Sequence, residues 1–206
     1  LGWMQVKISK TIWRGREHKL LILSDITESV ELREKLSFLS KTDELTGIYN
    51  RRGFIEASEQ QIKIGKRLSL NMGVLFIDLD GMKPINDTFG HDVGDDALRA
   101  ATQVLLRTLR NSDIVGRLGG DEFVALVQLD NSKSADETLK RVEQEVNFVN
   151  EREAYPFKLS LSLGWSPVDY EQPLEIIIEK ADEQMYNAKQ AKGLSRNQTD
   201  TIKKNN

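Results

Sequence analysis

Four carboxylates fall in two short clusters. Asp78 and Asp80 close the apolar run "GVLFIDLD" (73–80), and Asp121 and Glu122 follow two glycines in "RLGGDEFVALV" (117–127). Adjacent anions repel, and glycine weakens a strand, so folding alone gives little reason to put either pair at the mouth of a buried strand. If the two strands are neighbours, the acids meet at one edge of a sheet, which is costly unless cations share the site. Ligation by oxygen alone selects Mg²⁺, with Mn²⁺ as the nearest substitute, and such ions keep bound water and substrate phosphates. Two ions on a shared carboxylate activate a hydroxyl and stabilise a leaving phosphate. Gly119 and Gly120 would let the backbone turn tightly and admit a bulky ligand beside the acids. The same residues also fit a solvated turn carrying four unrelated surface acids.

The next segment, "GMKPINDTFGHDVGDDAL" (81–98), sets Lys83, Asn86, His91 and Asp95 around glycines and a helix start. Backbone N–H groups at a helix N-terminus favour phosphate, and Lys83 is a mobile cation suited to a triphosphate or its transition state. A carboxylate only accepts, so Asp95 suits the N1–H and amino donors of guanine and mismatches adenine. Asp92 or Asp95 also fits as the N-cap of the following helix, and Asn86 fits as an ordinary turn residue.

Elements must carry these residues. A hairpin is expected over 1–26, from the alternating "WMQVKISKTIW", the turn "RGREHK" and the strand "LLILSDI". A lone two-stranded hairpin is marginal in water, so these strands are expected to complete a sheet begun elsewhere. "ITESVELREKLSFLSK" reads as a linker helix, 27–41, with Val30, Leu32, Leu36 and Leu39 on one stripe. Beyond it, helical periodicity runs from about Leu45 to Lys66, about Asp92 to Arg110, about Ala135 to Arg152 and over 173–192. Strands are expected at 73–80 and 157–165, and "DIVGRL" and "FVALV" flank "GGDE" as a hairpin. This alternation suggests a two-layer α/β sandwich with a mixed sheet. The tail 198–206 reads as frayed.

Composition narrows the classes. The 206 residues include 29 Lys and Arg against 32 Asp and Glu, a net charge of −3, which argues against a general nucleic-acid binder. No cysteine is present, so disulfides and thiolate-held metals are excluded, and His18 and His91 alone do not make a multi-histidine zinc site. Apolar runs are far shorter than a membrane span, so a cytoplasmic location is expected. The chain opens inside a strand-like pattern, as a piece of a longer protein would, which leaves room for membrane segments upstream.

Five ordered motifs resemble the GGDEF domains, the diguanylate cyclases, over roughly 41–197. "RLGGDEF" is similar to the family signature, "TDELTGIYNRRGF" (42–54) to its opening motif and "DLDGMKPINDTFGHDVGD" (78–95) to its metal and guanine segment. "LSLSLGWS" and "ADEQMYNAK" are similar to its closing strand and helix. The resemblance implies a mixed central sheet with helices on both faces, akin to polymerase palms and nucleotidyl cyclases. It implies that Asp78, the Leu79 carbonyl and Asp121 bind Mg²⁺, that Glu122 serves as a further metal or proton-transfer acid, and that Asn86 and Asp95 bind guanine. His91 would line the nucleotide pocket, and Lys83 and Lys189 would meet phosphates. Asp80 has no firm family role; a surface acid or a structural cap is expected. The family usually places a glycine and an arginine soon after the final lysine, whereas "AKQAKGLSRN" sets Gly193 and Arg196 later, so Lys192 is the candidate for the second phosphate cation.

"RNSD" (110–113) is similar to the family's inhibitory site, where Arg110 would pair with guanine O6 and N7 of the cyclic product and Asp113 would assist. Helix-end chemistry at Arg110 and a turn at Asp113 account for the same residues. Residues 1–39 resemble the last strands of a PAS sensor domain and its exit helix. The expected activity is condensation of two GTP to cyclic di-GMP and two pyrophosphates by a homodimer, with regulation through the linker. The alternative is a non-catalytic receptor for GTP or cyclic di-GMP that relays a signal by protein contact.

Overall fold

The computed structural model describes residues 2–13, 16–30, 41–130 and 135–193. The chain divides into two compact units, Leu1–Ser40 and Lys41–Asn206.

The first unit holds the expected hairpin. Strand β1 (Met4–Trp13) pairs antiparallel with β2 (Arg16–Asp25) in register from Met4↔Asp25 to Trp13↔Arg16. Trp3, Val6, Ile8, Leu21 and Leu23 are all more than half exposed. One helical turn follows at 27–30; the rest of the expected linker helix lies outside the described residues, as does the tail 198–206.

The second unit is built on a five-stranded sheet of order β3-β5-β6-β4-β7. Its strands are β3 (Tyr49–Asn50), β4 (Asn71–Leu79), β5 (Ile114–Gly119), β6 (Glu122–Leu129) and β7 (Leu161–Pro167). Only β3 and β5 run parallel; the other pairs are antiparallel, so the sheet is mixed. The helices are α1 (Arg51–Leu68), α2 (Met82–Phe89), α3 (His91–Thr108), α4 (Ala135–Glu151) and α5 (Leu174–Ala191).

Strand β4 explains the layering. It is apolar at nearly every position and buried from Met72 onward, the pattern of a strand covered on both faces. Side chains alternate across a strand, so Leu75, Ile77 and Leu79 join a core with Ala97, Ala101, Val104 and Leu105 of α3 and Val142 and Val146 of α4. Val74 and Phe76 join another with Phe54 of α1 and Ile177, Ala181 and Met185 of α5. The arrangement is therefore three layers, helix on both faces of the sheet, and not the two-layer sandwich that element order suggested. Each large side chain buried this way contributes about 1.5–3 kcal/mol.

Several boundaries differ from the periodicity. The first helix begins at Arg51 rather than near Leu45, because Asn50 caps it by accepting from the Gly53 N–H at 3.0 Å, and 43–47 form a turn with Gly47 N–H on the Asp43 carbonyl at 2.8 Å. Helix α2, for which no element was expected, forms despite Pro84, which falls in the first turn where a missing N–H costs nothing. Neither Asp92 nor Asp95 caps α3; Gly90, at φ +89°, occupies that position without a side-chain bond. Among the described residues no helix is long and apolar enough to cross a membrane.

Candidate active site

Two chain segments 43 positions apart in sequence meet at one end of the sheet. The antiparallel register of β4 and β6 sets Asp78 opposite Glu122, and the Leu79 N–H donates to the Asp121 carbonyl at 2.9 Å. The β5–β6 hairpin turns through Gly119 (φ +151°) and Gly120 (φ +51°), backbone angles that a residue with a Cβ rarely adopts. The glycines are thus a requirement of the turn that brings Asp121 and Glu122 to the end of β4.

Strand alternation sends Asp78 to the α5 side, where it is buried and accepts from Lys189 Nζ at 2.5 Å. Burial pushes the Asp78 carboxyl up; the Lys189 bond opposes the rise, and the nearby charges of Asp121 and Asp80 add to it. The net direction is upward, with burial its largest cause. A donor set of Asp78, Asp121 and the Leu79 carbonyl would be all oxygen, the kind that a hard divalent cation takes. Among the described residues no three His, Cys, Asp or Glu side chains form a closed cage. A site of two carboxylates and one carbonyl leaves positions to water and substrate phosphate, as Mg²⁺ ordinarily does.

Of the two roles expected for Asp80, surface acid or structural cap, its burial leaves the structural one. The residue is 4% exposed, and its two oxygens accept from Ser160 Oγ at 2.7 Å and Ser162 Oγ at 2.8 Å, while its N–H donates to the Ser160 carbonyl. Lys189 Nζ lies 4.0 Å and Lys192 Nζ 3.8 Å from it. Asp80 thus fastens the end of β4 to β7 and gives both lysines an anion. Lys192 also donates to the Leu161 carbonyl at 2.6 Å and lines a cavity of about 250 Å³ with Glu143 and Asn147 of α4. Its ammonium is therefore tied to β7. Arg196 lies outside the described residues.

The nucleotide-reading candidates sit on the next two helices. Gly90, whose N–H bonds to the Asn86 carbonyl at 2.9 Å, separates α2 from α3. A Cβ on Gly94 would lie 2.0 Å from Asn86 Oδ1, so the absence of a side chain there lets the Asn86 amide rest on the first turn of α3, beside Asp95. Asn86 and Asp95 are half-buried, whereas Lys83, in the first turn of α2, and His91, at the start of α3, are exposed.

Two residues that sequence reasoning passed over hold the glycine turn. Arg117 donates through Nε and Nη2 to the Gly120 carbonyl at 3.0 and 2.7 Å and through Nη1 to both Asp43 oxygens at 3.1 and 3.2 Å. Asp43 also accepts from the Thr46 N–H and hydroxyl at 3.0 and 2.6 Å. Burial raises the Asp43 carboxyl, but the Thr46 bonds and Arg117 outweigh it and hold it below the usual range. An arginine beside a tight glycine turn needs an acceptor, which was the available signal. In the segment "RNSD" (110–113), Asp113 accepts from the Arg110 N–H at 2.8 Å and the Gln128 N–H at 3.2 Å, so it does shape a turn.

A family model described as "Diguanylate cyclase, GGDEF domain" matches residues 40–195. The chain is 35% identical over 175 residues to the probable diguanylate cyclase DgcC of Escherichia coli K12, covering 84% of this chain and 46% of that protein. It is 32% identical over 178 residues to the diguanylate cyclase DgcM of the same strain, covering 85% and 42%; the chain thus spans less than half the length of these curated relatives. Among solved structures, the diguanylate cyclase SiaD of Pseudomonas aeruginosa, crystallised with its activator SiaC, superposes with a TM-score of 0.68 at 28% identity, over 80% of this chain and 64% of that one. A microbial GGDEF domain whose interaction with cyclic di-GMP was described superposes with a TM-score of 0.63 at 32% identity, over 73% and 94%. The matched span takes in every acid of the site, the glycine turn and both helices that follow β4, and on this ground the chain belongs to the GGDEF family.

Proposed function

We propose that this module is a diguanylate cyclase: two GTP condense to cyclic di-GMP with release of two pyrophosphates. The observation that carries the reading is the meeting of Asp78 and Asp121 at the ends of β4 and β6, with the Asp78 carboxyl raised by burial and by the Asp121 charge. Asp78, Asp121 and the Leu79 carbonyl would hold Mg²⁺ or Mn²⁺, which supplies hydroxyl activation and neutralises phosphate charge.

The chain's own residues supply the rest. Asn86 and Asp95 select guanine, Asp95 by accepting from N1–H and the amino group. Lys83 and Lys189 meet the phosphates, and His91 lines the nucleotide pocket. Glu122, opposite Asp78 in the sheet, takes the proton as the 3′-oxygen of one GTP bonds to the α-phosphorus of the other and pyrophosphate leaves. The second half-reaction closes the ring in the same way, with a second subunit face to face, so the rate depends on dimer geometry. The hairpin β1–β2 completes a PAS-type sensor upstream, the segment after it couples it to the dimer, the module works in the cytoplasm, and Arg110 with Asp113 takes up product as an inhibitor.

Incubation with GTP and Mg²⁺, followed for pyrophosphate and cyclic di-GMP, tests the reading. Turnover by the native chain and its loss in a folded Asp121→Ala variant are expected. Binding of GTP without any product would instead make the module a receptor.

A further inference from the structure

The Arg110 guanidinium is already engaged. Its Nη1 and Nη2 donate side by side to Oδ1 and Oδ2 of Asp130 at 2.8 and 2.5 Å. Arg110 lies just past the end of α3, and Asp130 just past the end of β6. Hydrogen bonds tie together the two chain ends that carry the pair: Asp113 is anchored to the Arg110 and Gln128 N–H groups and its own N–H returns to the Arg110 carbonyl at 2.9 Å. Both ion-pair side chains remain about two-fifths exposed, at 37% and 41%, so a ligand from solvent reaches them.

We propose that Asp130 is an internal competitor for the guanine edge at Arg110 and sets the affinity of the inhibitory site. The proposal rests on the reading of Arg110 and Asp113 as that site. An arginine fork offers one pair of parallel N–H donors. Guanine O6 and N7 need that pair, and the Asp130 carboxylate occupies it, so the two partners exclude each other. Product binding must break the Arg110–Asp130 pair, while Asp113 and the turn stay fixed. An ion pair this exposed is weak, which makes the competition a graded adjustment of affinity; removing it tightens product binding about two- to fivefold.

The test measures cyclase rate at saturating GTP against added cyclic di-GMP, so that displacement from the active site does not count, with calorimetric titration of cyclic di-GMP alongside. Native protein, Asp130→Ala, Asp130→Asn, Arg110→Ala and the Arg110→Ala/Asp130→Ala double variant are compared. Asp130→Ala and Asp130→Asn should lower the half-inhibiting concentration two- to fivefold and leave the rate without product unchanged, and the double variant should behave as Arg110→Ala. Inhibition appearing only when Asp130 is replaced would support the proposal in its strongest form. Unchanged or weakened inhibition in both Asp130 variants overturns it, while the Arg110 reading survives if Arg110→Ala still abolishes inhibition. If inhibition of the native chain or of an Asp130 variant persists undiminished when Arg110 is also replaced by alanine, or no variant binds product, the inhibitory reading itself fails and takes the proposal with it.

Discussion

Replacing Arg117 by methionine removes the clamp on the glycine turn while keeping most of the side chain's apolar length. The native guanidinium satisfies the Gly120 carbonyl twice and Asp43 through both oxygens, with side-chain exposures of 13% and 23%. Hydrogen bonds to charged groups contribute about 1.5–3 kcal/mol net, and the residual exposure keeps the sum from scaling with the bond count. Arg117→Met should therefore cost about 2–3 kcal/mol in urea-induced unfolding. A double-mutant cycle with Asp43→Ala should show coupling of about 1–2 kcal/mol. Arg117→Lys keeps the charge but loses the fork, and should recover little of it. The pH dependence follows from Asp43, whose carboxyl is held low in the fold. Its stabilisation is present above the unfolded value near 3.9 and is lost as pH falls through the lower folded value, so native stability should drop in that acid range more steeply than that of Arg117→Met. Freed from Arg117, the Gly120 carbonyl lets Asp121 drift, and a shift of about 1 Å costs on the order of a hundredfold in turnover. Unfolding within about 0.5 kcal/mol of native, together with undiminished turnover, would refute the reasoning.

Three further outcomes follow from the same geometry. Lys189→Met leaves Asp78 buried without its cation, and should lower stability in urea unfolding by about 3 kcal/mol; a chain as stable as native would contradict that pairing. Gly94→Ala places a Cβ against Asn86 Oδ1 and should raise the KM for GTP about five- to tenfold, the loss of one hydrogen bond, with kcat falling less; an unchanged KM would remove Asn86 from base recognition. Asp80→Ala strips Ser160 and Ser162 of their acceptor and should cost about 2–3 kcal/mol, whereas Asp80→Asn, which still offers one oxygen, should cost less; equal losses would show that the serines do not matter.

The candidate site was legible in the sequence where local chemistry gave no structural reason for the residues, although Asp80 has one in Ser160 and Ser162. Acids at the end of an apolar strand and after paired glycines pointed to one shared place, and the β4–β6 register puts them there. Four of the five sheet strands and four of the second unit's five described helices were legible from period alone, because β4 and α3 carry unbroken apolar patterns; the two-residue β3 was not, and it falls where helix was expected. Helix α2 was not, since eight residues between Gly81 and Gly90 with a proline in the first turn are too short to show a helical period. The two-layer expectation failed because the double-sided burial of β4 is written in what packs on it, which element order does not state. The serine partners of Asp80 lie 80 and 82 positions away, just before β7 and at its start, and the acid partners of Arg117 and Arg110 lie 74 and 20 away. Such pairings are set by topology, which no local spacing records.

The central claim is that Asp78 and Asp121 share a divalent cation that grips a nucleoside triphosphate. Electron paramagnetic resonance of Mn²⁺ titrated into the protein with a non-hydrolysable GTP analogue tests it most directly. Native protein should take up Mn²⁺ with the nucleotide, and Asp78→Asn and Asp121→Ala should each lose that uptake while remaining folded. Equal Mn²⁺ uptake by all three chains would contradict the claim.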